Sequence, residues 1–447
     1  MVRKGKWIVV AVAAVMLAAC IPFGVKVWRW GIGEVFEHFT YRPRLLSSIP
    51  ESNEIPRLFI NTKSGIMVKT KEAYVDADYA IYLDGGLVQH GDIGVKGHGN
   101  TTWDKPKKSY MFKFAEETSV LGLPSAKKWI LLNPYNDKSL VRNDYAYHIA
   151  STIYTNMKWT PHLIDVEVVM NGRFLGVYQL AEKVDVGPGR VDVGPGGVVM
   201  EFSRREDPYL QTDHAYMMFK DPRKNLPKGQ IERWTEVVHR FEENLYAPDF
   251  GSYRTYFDVP SFIDWYLVNE FTKNHDAAYG GSTYWYYDPA DDVLHFGPVW
   301  DFDISCGNID YDSCDDTDGF FVNQFPYFRR LVMDPAFVAE LRNRWNETKE
   351  QLLMETRSYI PEHVAYLSRA TEWNYMVWKT LGVDIWPHAE AGDTYEEQIA
   401  YLENWLEERY VWMDKAINEN DLTRILPVHV DPSDQKVLDT LLTLLGQ

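Results

Sequence analysis

"FIDWYLVNEFTKNHDAAYGGSTYWYYDPADDVLHFGPVWDFDISCGN" occupies residues 262–308, and the order of its parts decides the fold. Apolar residues make up seven of the ten positions 262–271 behind Pro260, a residue suited to a first helical turn, so a helix is predicted over 259–274. Asp276 follows in a loop. A strand (282–287), the turn "DPADD" and a second strand ending at Trp300 then form a hairpin that delivers Asp301 and Asp303. Because a hairpin returns the chain on itself, Asp276 and Asp301 are expected at its open end, close in space. Carboxylates beside Val299, Trp300 and Phe302 are costly to bury unless paired or bound to a metal. The plainer alternative is an Asp-rich turn, since Cys306-Gly307-Asn308 follows.

Working outward, the segments before this unit read as strands at 55–62, 80–83, 91–96, 109–114 and 164–170. One helix is predicted among them, over 136–154, with Asp137 or Ser139 as its cap. The repeated "VDVGPG" at 184–189 and 191–196 reads as a duplicated turn. After about residue 228 the pattern is helical: Ile231, Trp234, Val238, Phe241 and Leu245 mark one amphipathic stripe. Thr394 and Glu397 stand at capping-box spacing before another. A β-rich part (55–205) followed by a mainly helical one (206–447) is an α+β arrangement, and a cleft between such parts is a common ligand site.

The 447 residues carry a net charge of −18, which repels nucleic acid and favours basic partners. Arg3, Lys4 and Lys6 precede an apolar run and then "LAAC" at 17–20. That is the form of a secretory signal (1–20) ending in a lipidated Cys20. Residues 21–30 stay apolar and aromatic, however, so an uncleaved membrane anchor over 7–25 is the alternative, with 21–54 a linker in the first case. Either way the bulk of the chain lies outside the cytoplasm, held to a membrane. In that disulfide-permissive setting Cys306 and Cys314 are expected to bridge, with two unpaired thiols as the alternative.

The sequence holds no Walker-type phosphate loop, no His-Glu-x-x-His and no Gly-x-Ser-x-Gly. Helix, Asp, hairpin, Asp is instead the order found in the helical half of a protein kinase, where one Asp orients the acceptor hydroxyl and the other holds metal on the phosphates. Five segments sharpen this: "GVKGHGNTTWDKPKKSYMFKF", "WILLNPYNDKSLVRNDYAYHIA", "VVMNGRFLGVYQLAEKVD", "FIDWYLVNEFTKNHD" and "FGPVWDFDISCGN". In this order they resemble the spore-coat protein H (CotH) kinase family, over roughly residues 55–310. The resemblance implies an atypical protein-kinase-like bilobal fold with a β-rich N-lobe and a mainly helical C-lobe. It also implies ATP with Mg2+ or Mn2+, and Ser or Thr of extracytoplasmic proteins as acceptors, among which the net charge of −18 favours basic ones.

Residue by residue, Asp276 matches the catalytic aspartate and Asp301 the metal-binding one, with Asp303 a second ligand or a turn cap. Lys108 matches a family lysine and is a candidate phosphate ligand, and Glu182 is its candidate partner. Arg142 either reaches a phosphate or bridges to Asp137 or Asp144. His98 reads as a turn residue rather than a ligand. No His-Arg-Asp motif is present and no Asn follows Asp276 at kinase spacing, which leaves Asn274 or Asn308 for the second-metal role. Two rival readings stand beside the kinase: a secreted glycoside hydrolase using paired carboxylates, and an inert kinase-fold scaffold.

Overall fold

The computed structural model describes residues 55–387 and 392–419, except 225, 279 and 280, together with 49 and 422. The expected signal or anchor and most of the linker lie outside these residues. Among the described residues no helix is long and apolar enough to cross a membrane.

Seven strands come first: β1 (Arg57–Thr62), β2 (Val75–Leu83), β3 (Gly86–His98), β4 (Ser109–Thr118), β5 (Ala126–Leu132), β6 (Leu163–Met170) and β7 (Arg173–Glu182). They close a barrel in the order β1-β2-β3-β4-β5-β7-β6, sealed by parallel pairing of β1 with β6. Alternation in β2 turns Ala77, Tyr79 and Ile81 inward, where they meet Val95, Phe112, Leu131 and Val168. Two of the hairpins turn on residue pairs that tolerate positive φ, Asp84-Gly85 (51° and 75°) and Asn171-Gly172 (51° and 73°). Closure leaves the barrel without a free edge.

A single-turn helix α1 (Thr101–Asp104) links β3 to β4, and α2 (Arg142–Thr152) links β5 to β6. Next come β8 (Val198–Glu201), β9 (Tyr209–Gln211), β10 (Tyr216–Asp221) and, later, β11 (Tyr284–Asp288) and β12 (Val293–Phe296). These build a second sheet in the order β12-β11-β8-β10-β9. Thus β8, which precedes the expected division at residue 205, pairs with strands that follow it. The helices are α3 (Gln230–Leu245), α4 (Val259–Phe271), α5 (His275–Ala278), α6 (Pro326–Leu331), α7 (Pro335–Val377) and α8 (Tyr395–Asn418). The fold is α+β, as expected from the order of elements.

Local chemistry explains the boundaries. The Asp258 carboxylate accepts the Ser261 N–H at 2.9 Å and Pro260 occupies the first turn of α4, which is buried all round and forms the centre of the helical part. Thr394 and Glu397 make both bonds of the anticipated capping box on α8. The 43-residue α7 lies on β7, where Asn374 Oδ1 accepts from Lys107 Nζ (2.9 Å) and Val177 N (3.2 Å). Gly176 is needed there: its φ is +79°, and a Cβ would sit 2.5 Å from Asn374 Oδ1.

Four expectations are corrected. The helix predicted over 136–154 starts only at Arg142, because Leu140 has φ 63° and Asp137 spends its carboxylate on Ser139 and the Arg142 N–H. The helix predicted to reach 274 ends at Phe271, before Lys273 turns to φ 48°. The second hairpin strand stops at Phe296, so Asp301 belongs to an irregular segment and not to a strand end. Cys306 and Cys314 are free, buried thiols packed in separate apolar clusters, and no bridge joins them.

Candidate active site

Below α4 the chain turns sharply and presents His275 and Asp276 at the start of α5. His275 Nε2 lies 2.9 Å from Asp312 Oδ2, and its Nδ1 3.4 Å from Asp276 Oδ1. The Asp276 side chain keeps 39 % of its exposure, as a group meeting a substrate from solution must. Gly281 donates its N–H to the Asp276 carbonyl at 2.9 Å, and a Cβ at Gly281 would press within 3.3 Å of the Asp276 side chain.

Asp301 has φ 66°, a left-handed conformation that costs a non-glycine residue of order 1 kcal/mol or more. The surroundings enforce it. Ser282 Oγ donates to Asp301 Oδ2 (3.0 Å), Asn274 Nδ2 reaches the Asp301 carbonyl (3.4 Å), and Asn143 Oδ1 accepts the next N–H, that of Phe302 (2.6 Å). Asp303 Oδ2 receives Asn136 Nδ2 (3.2 Å), while Asn308 Nδ2 binds the carbonyls of Asp303 (2.6 Å) and Asn136 (3.0 Å).

Asn136, Asn274 and Asn308 spend their N–H groups on the backbone, on Asn269 or on the Asp303 carboxylate and leave their oxygens idle. Asn136 Oδ1, Asn274 Oδ1 and Asn308 Oδ1 are all buried without a hydrogen-bond partner. Burial, then the Asp276 charge, raises Asp301 to about 6, against the pull of its Ser282 hydrogen bond. Asp303 is pushed well above the usual carboxylate range by burial, by Asp301 and by Asp276. So many unneutralised acceptors in one place are a liability for a protein alone, and a fitting hard-oxygen donor set for Mg2+ or Mn2+.

Sequence reading missed a basic wall that surrounds His98, in which Lys183 is paired with Asp185. His98, at the end of β3, is held down to about 3 by burial and then by the charges of Lys220, Lys183, Lys96 and Lys71. Lys220 on β10 pairs with Glu201 on β8 and lies 5.4 Å from the Tyr284 ring centre. Glu201 in turn acts on Asp301, so it stands where the basic and acidic groups meet. The four lysines come from well-separated stretches, and no local motif announces them.

Of the residues proposed from sequence, Asp276, Asp301, Asp303 and Asn308 come together. Arg142 is fully buried and serves the backbone: it pairs with Asp137 (2.7 Å) and donates to the carbonyls of Ser305 (3.0 Å) and Cys306 (3.4 Å). It shapes the loop after Asp303 instead of reaching into the cleft. The pairing of Glu182 with Lys108 is corrected: the Glu182 carboxylate is taken by Arg190 and by His162 (2.9 Å). Lys108 Nζ donates to the Trp103 carbonyl at 2.7 Å and lies over the Trp103 ring.

Hydrogen bonds, and no disulfide, hold the loop that carries Cys314. Lys273 Nζ binds the carbonyls of Ser313, Asp316 (2.7 Å) and Asp318 (3.0 Å). Trp405 Nε1 takes Asp315 O (2.7 Å), and Arg409 takes Thr317 O and Gly319 O (both 2.8 Å). The acidic loop 310–318 is thereby pinned beside Asp276.

No curated protein matches the chain. The profile described as CotH kinase protein matches residues 95–413, from the end of β3 through both halves of the site to α8. Most of the sequence is covered, and the chain belongs to the CotH kinase protein family.

Proposed function

We propose that the chain is an active, extracytoplasmic, membrane-anchored protein kinase that moves the γ-phosphoryl group of ATP to Ser or Thr of basic proteins. The observation that carries this is the set of three buried, partnerless amide oxygens around Asp301 and Asp303. In an inert scaffold they would be costly and serve nothing. A cation bound by Asp301 and Asp303, with Asn136, Asn274 and Asn308 around them, would neutralise the phosphates. The barrel and the helical part then stand for the two lobes of a kinase-like fold.

The remaining work belongs to protein groups. Lys220, with Lys183 and Lys96, faces the triphosphate and offsets charge as it moves to the β–γ bridging oxygen. Asp276 accepts the proton of the acceptor hydroxyl as that oxygen bonds to the γ-phosphorus. The bond to the bridging oxygen breaks and ADP departs with its electron pair. Exposed Asp310, Asp315 and Asp316 on the pinned loop give a basic acceptor somewhere to rest.

Thermal shift with ATP, with and without Mg2+ or Mn2+, tests the site, paired with transfer of label from γ-labelled ATP to Lys/Arg-flanked Ser peptides. Metal-dependent stabilisation together with transfer is expected. Binding without transfer to any peptide would favour the scaffold, and neither would overturn the nucleotide site.

A further inference from the structure

Beside α2, three elements bring one side chain each together. Asp144 comes from α2, Asp165 from β6 and His363 from the middle of α7. One donor atom from each lies within 4.8 Å of the other two. His363 Nδ1 is 3.2 Å from Asp144 Oδ2 and His363 Nε2 is 2.9 Å from Asp165 Oδ2. The cluster is closed to solvent, with side chains 10 %, 10 % and 2 % exposed for His363, Asp144 and Asp165. Tyr359 Oη donates to Asp144 Oδ2, and the His148 ring stacks on Tyr359 at 3.7 Å.

Two features are left unexplained by ordinary pairing. Asp165 Oδ1 is buried with no hydrogen-bond partner, and His363 Nε2 has none either in alignment, despite its short approach to Asp165. Charge is also out of balance. Two buried carboxylates facing one imidazole carry a residual negative charge even when the imidazole is protonated, and a buried uncompensated charge is strongly unfavourable. A dication cancels both carboxylates, leaves the imidazole neutral and gives Asp165 Oδ1 a partner.

We infer that Asp144, Asp165 and His363 form a second, structural divalent-metal site, separate from the phosphate-binding one. One nitrogen and carboxylate oxygens suit Zn2+ or Mn2+, with water completing the shell; Ca2+ would call for six or more oxygens. The ion ties α7 and the barrel to α2. Next to Asp144 in α2 stand Arg142 and Asn143, which hold Ser305, Cys306 and Phe302. The site therefore braces the segment that carries Asp301 and Asp303 without touching substrate, and it stands whether or not the kinase reading does.

The test uses the full chain, stripped with chelator, reloaded with ZnCl2 or MnCl2, dialysed, and assayed for metal by mass spectrometry alongside Asp165→Asn and His363→Gln. One ion fewer per chain is expected in both variants than in wild type. Zn2+ should raise the melting temperature of wild type and of Asp301→Asn, but not of the two variants. His363→Gln, which keeps hydrogen-bonding capacity, carries the test where Asp165→Asn fails to fold. Equal metal content in all three proteins overturns the site. So does a wild type indifferent to Zn2+ whose stability is full below about 6.5 and lost as pH rises through about 8. That result would identify an imidazolium, raised by its carboxylate neighbours, as the bridge.

Discussion

Glu270, on α4, and Asp303, in the irregular segment after β12, are both buried carboxylates, yet they are treated in opposite ways. Glu270 accepts the N–H groups of Phe321 (2.8 Å) and Val322 (2.7 Å) and pairs with Arg409 at 2.6 Å. Asp303 receives one amide, faces Asp301 and Asp276, and is ringed by idle amide oxygens. A carboxylate that holds a fold together comes with its counter-charge built in; one kept for a ligand does not. The difference separates structure from chemistry better than burial does, since both groups are buried.

The strongest way to break this comparison is to remove charge on the ligand side. Asp301→Asn should lower phosphotransfer at least about a thousandfold, roughly 4 kcal/mol, and abolish the metal-dependent thermal shift with ATP. Without nucleotide or metal the same variant should be at least as stable as wild type, because a poorly paired buried charge is gone. Near-normal turnover, or a marked loss of metal-free stability, would put Asp301 in the class of Glu270.

The mirror experiment is Glu270→Gln. It strands the fully buried Arg409 and should cost about 3 kcal/mol in denaturant unfolding. Turnover per folded molecule at low temperature should stay within about threefold. Asp276→Asn comes next: turnover should fall at least about a hundredfold, some 2.7 kcal/mol, while ATP binding persists, as expected for loss of a positioned base. A lost ATP thermal shift in that variant would move Asp276 from the acceptor to the metal.

How far the sequence reveals all this depends on whether a feature is local. The capping box at Thr394, the Pro260 start of α4 and five of the seven barrel strands act over a few residues and were visible, whereas β5, β7 and the Asp258 cap were not read. The grouping of Asp276 with Asp301 was visible too, because one hairpin enforces it. Barrel closure was not, since it rests on β1 pairing in parallel with β6, far along the chain. Glu182 misled because its charge is answered by Arg190 and His162, which no periodicity connects to it. The lysine wall is scattered over β3, β10 and two loops, and only the folded chain assembles it around His98.

That wall supplies a finer test. Lys220→Met should raise the KM for ATP about tenfold, roughly 1.4 kcal/mol, by removing one phosphate-facing charge and stranding Glu201 beside Asp301. Lys108→Met, which gives up a bond to the Trp103 carbonyl, should change it less than about threefold. Reversed magnitudes would restore Lys108 as the phosphate ligand.

The smallest effect concerns the acceptor. The loop 310–318 is held by bonds to its carbonyls and by His275 on the Asp312 carboxylate, so Asp315 and Asp316 remain exposed. Their charges add to the field of a chain carrying −18 overall, and they follow by three and four residues Asp312, which binds the His275 beside Asp276. Exposed charges act through solvent and are screened within about 10 Å at 0.1 M salt, so the gain per residue is modest. Asp315→Asn/Asp316→Asn should therefore slow phosphorylation of a Lys/Arg-flanked Ser peptide about threefold at low salt. The deficit should vanish near 0.5 M salt and be absent for an acidic peptide at any salt. An equal loss on both peptides would mean that the two aspartates support the loop, as Glu270 does, and do not meet the acceptor.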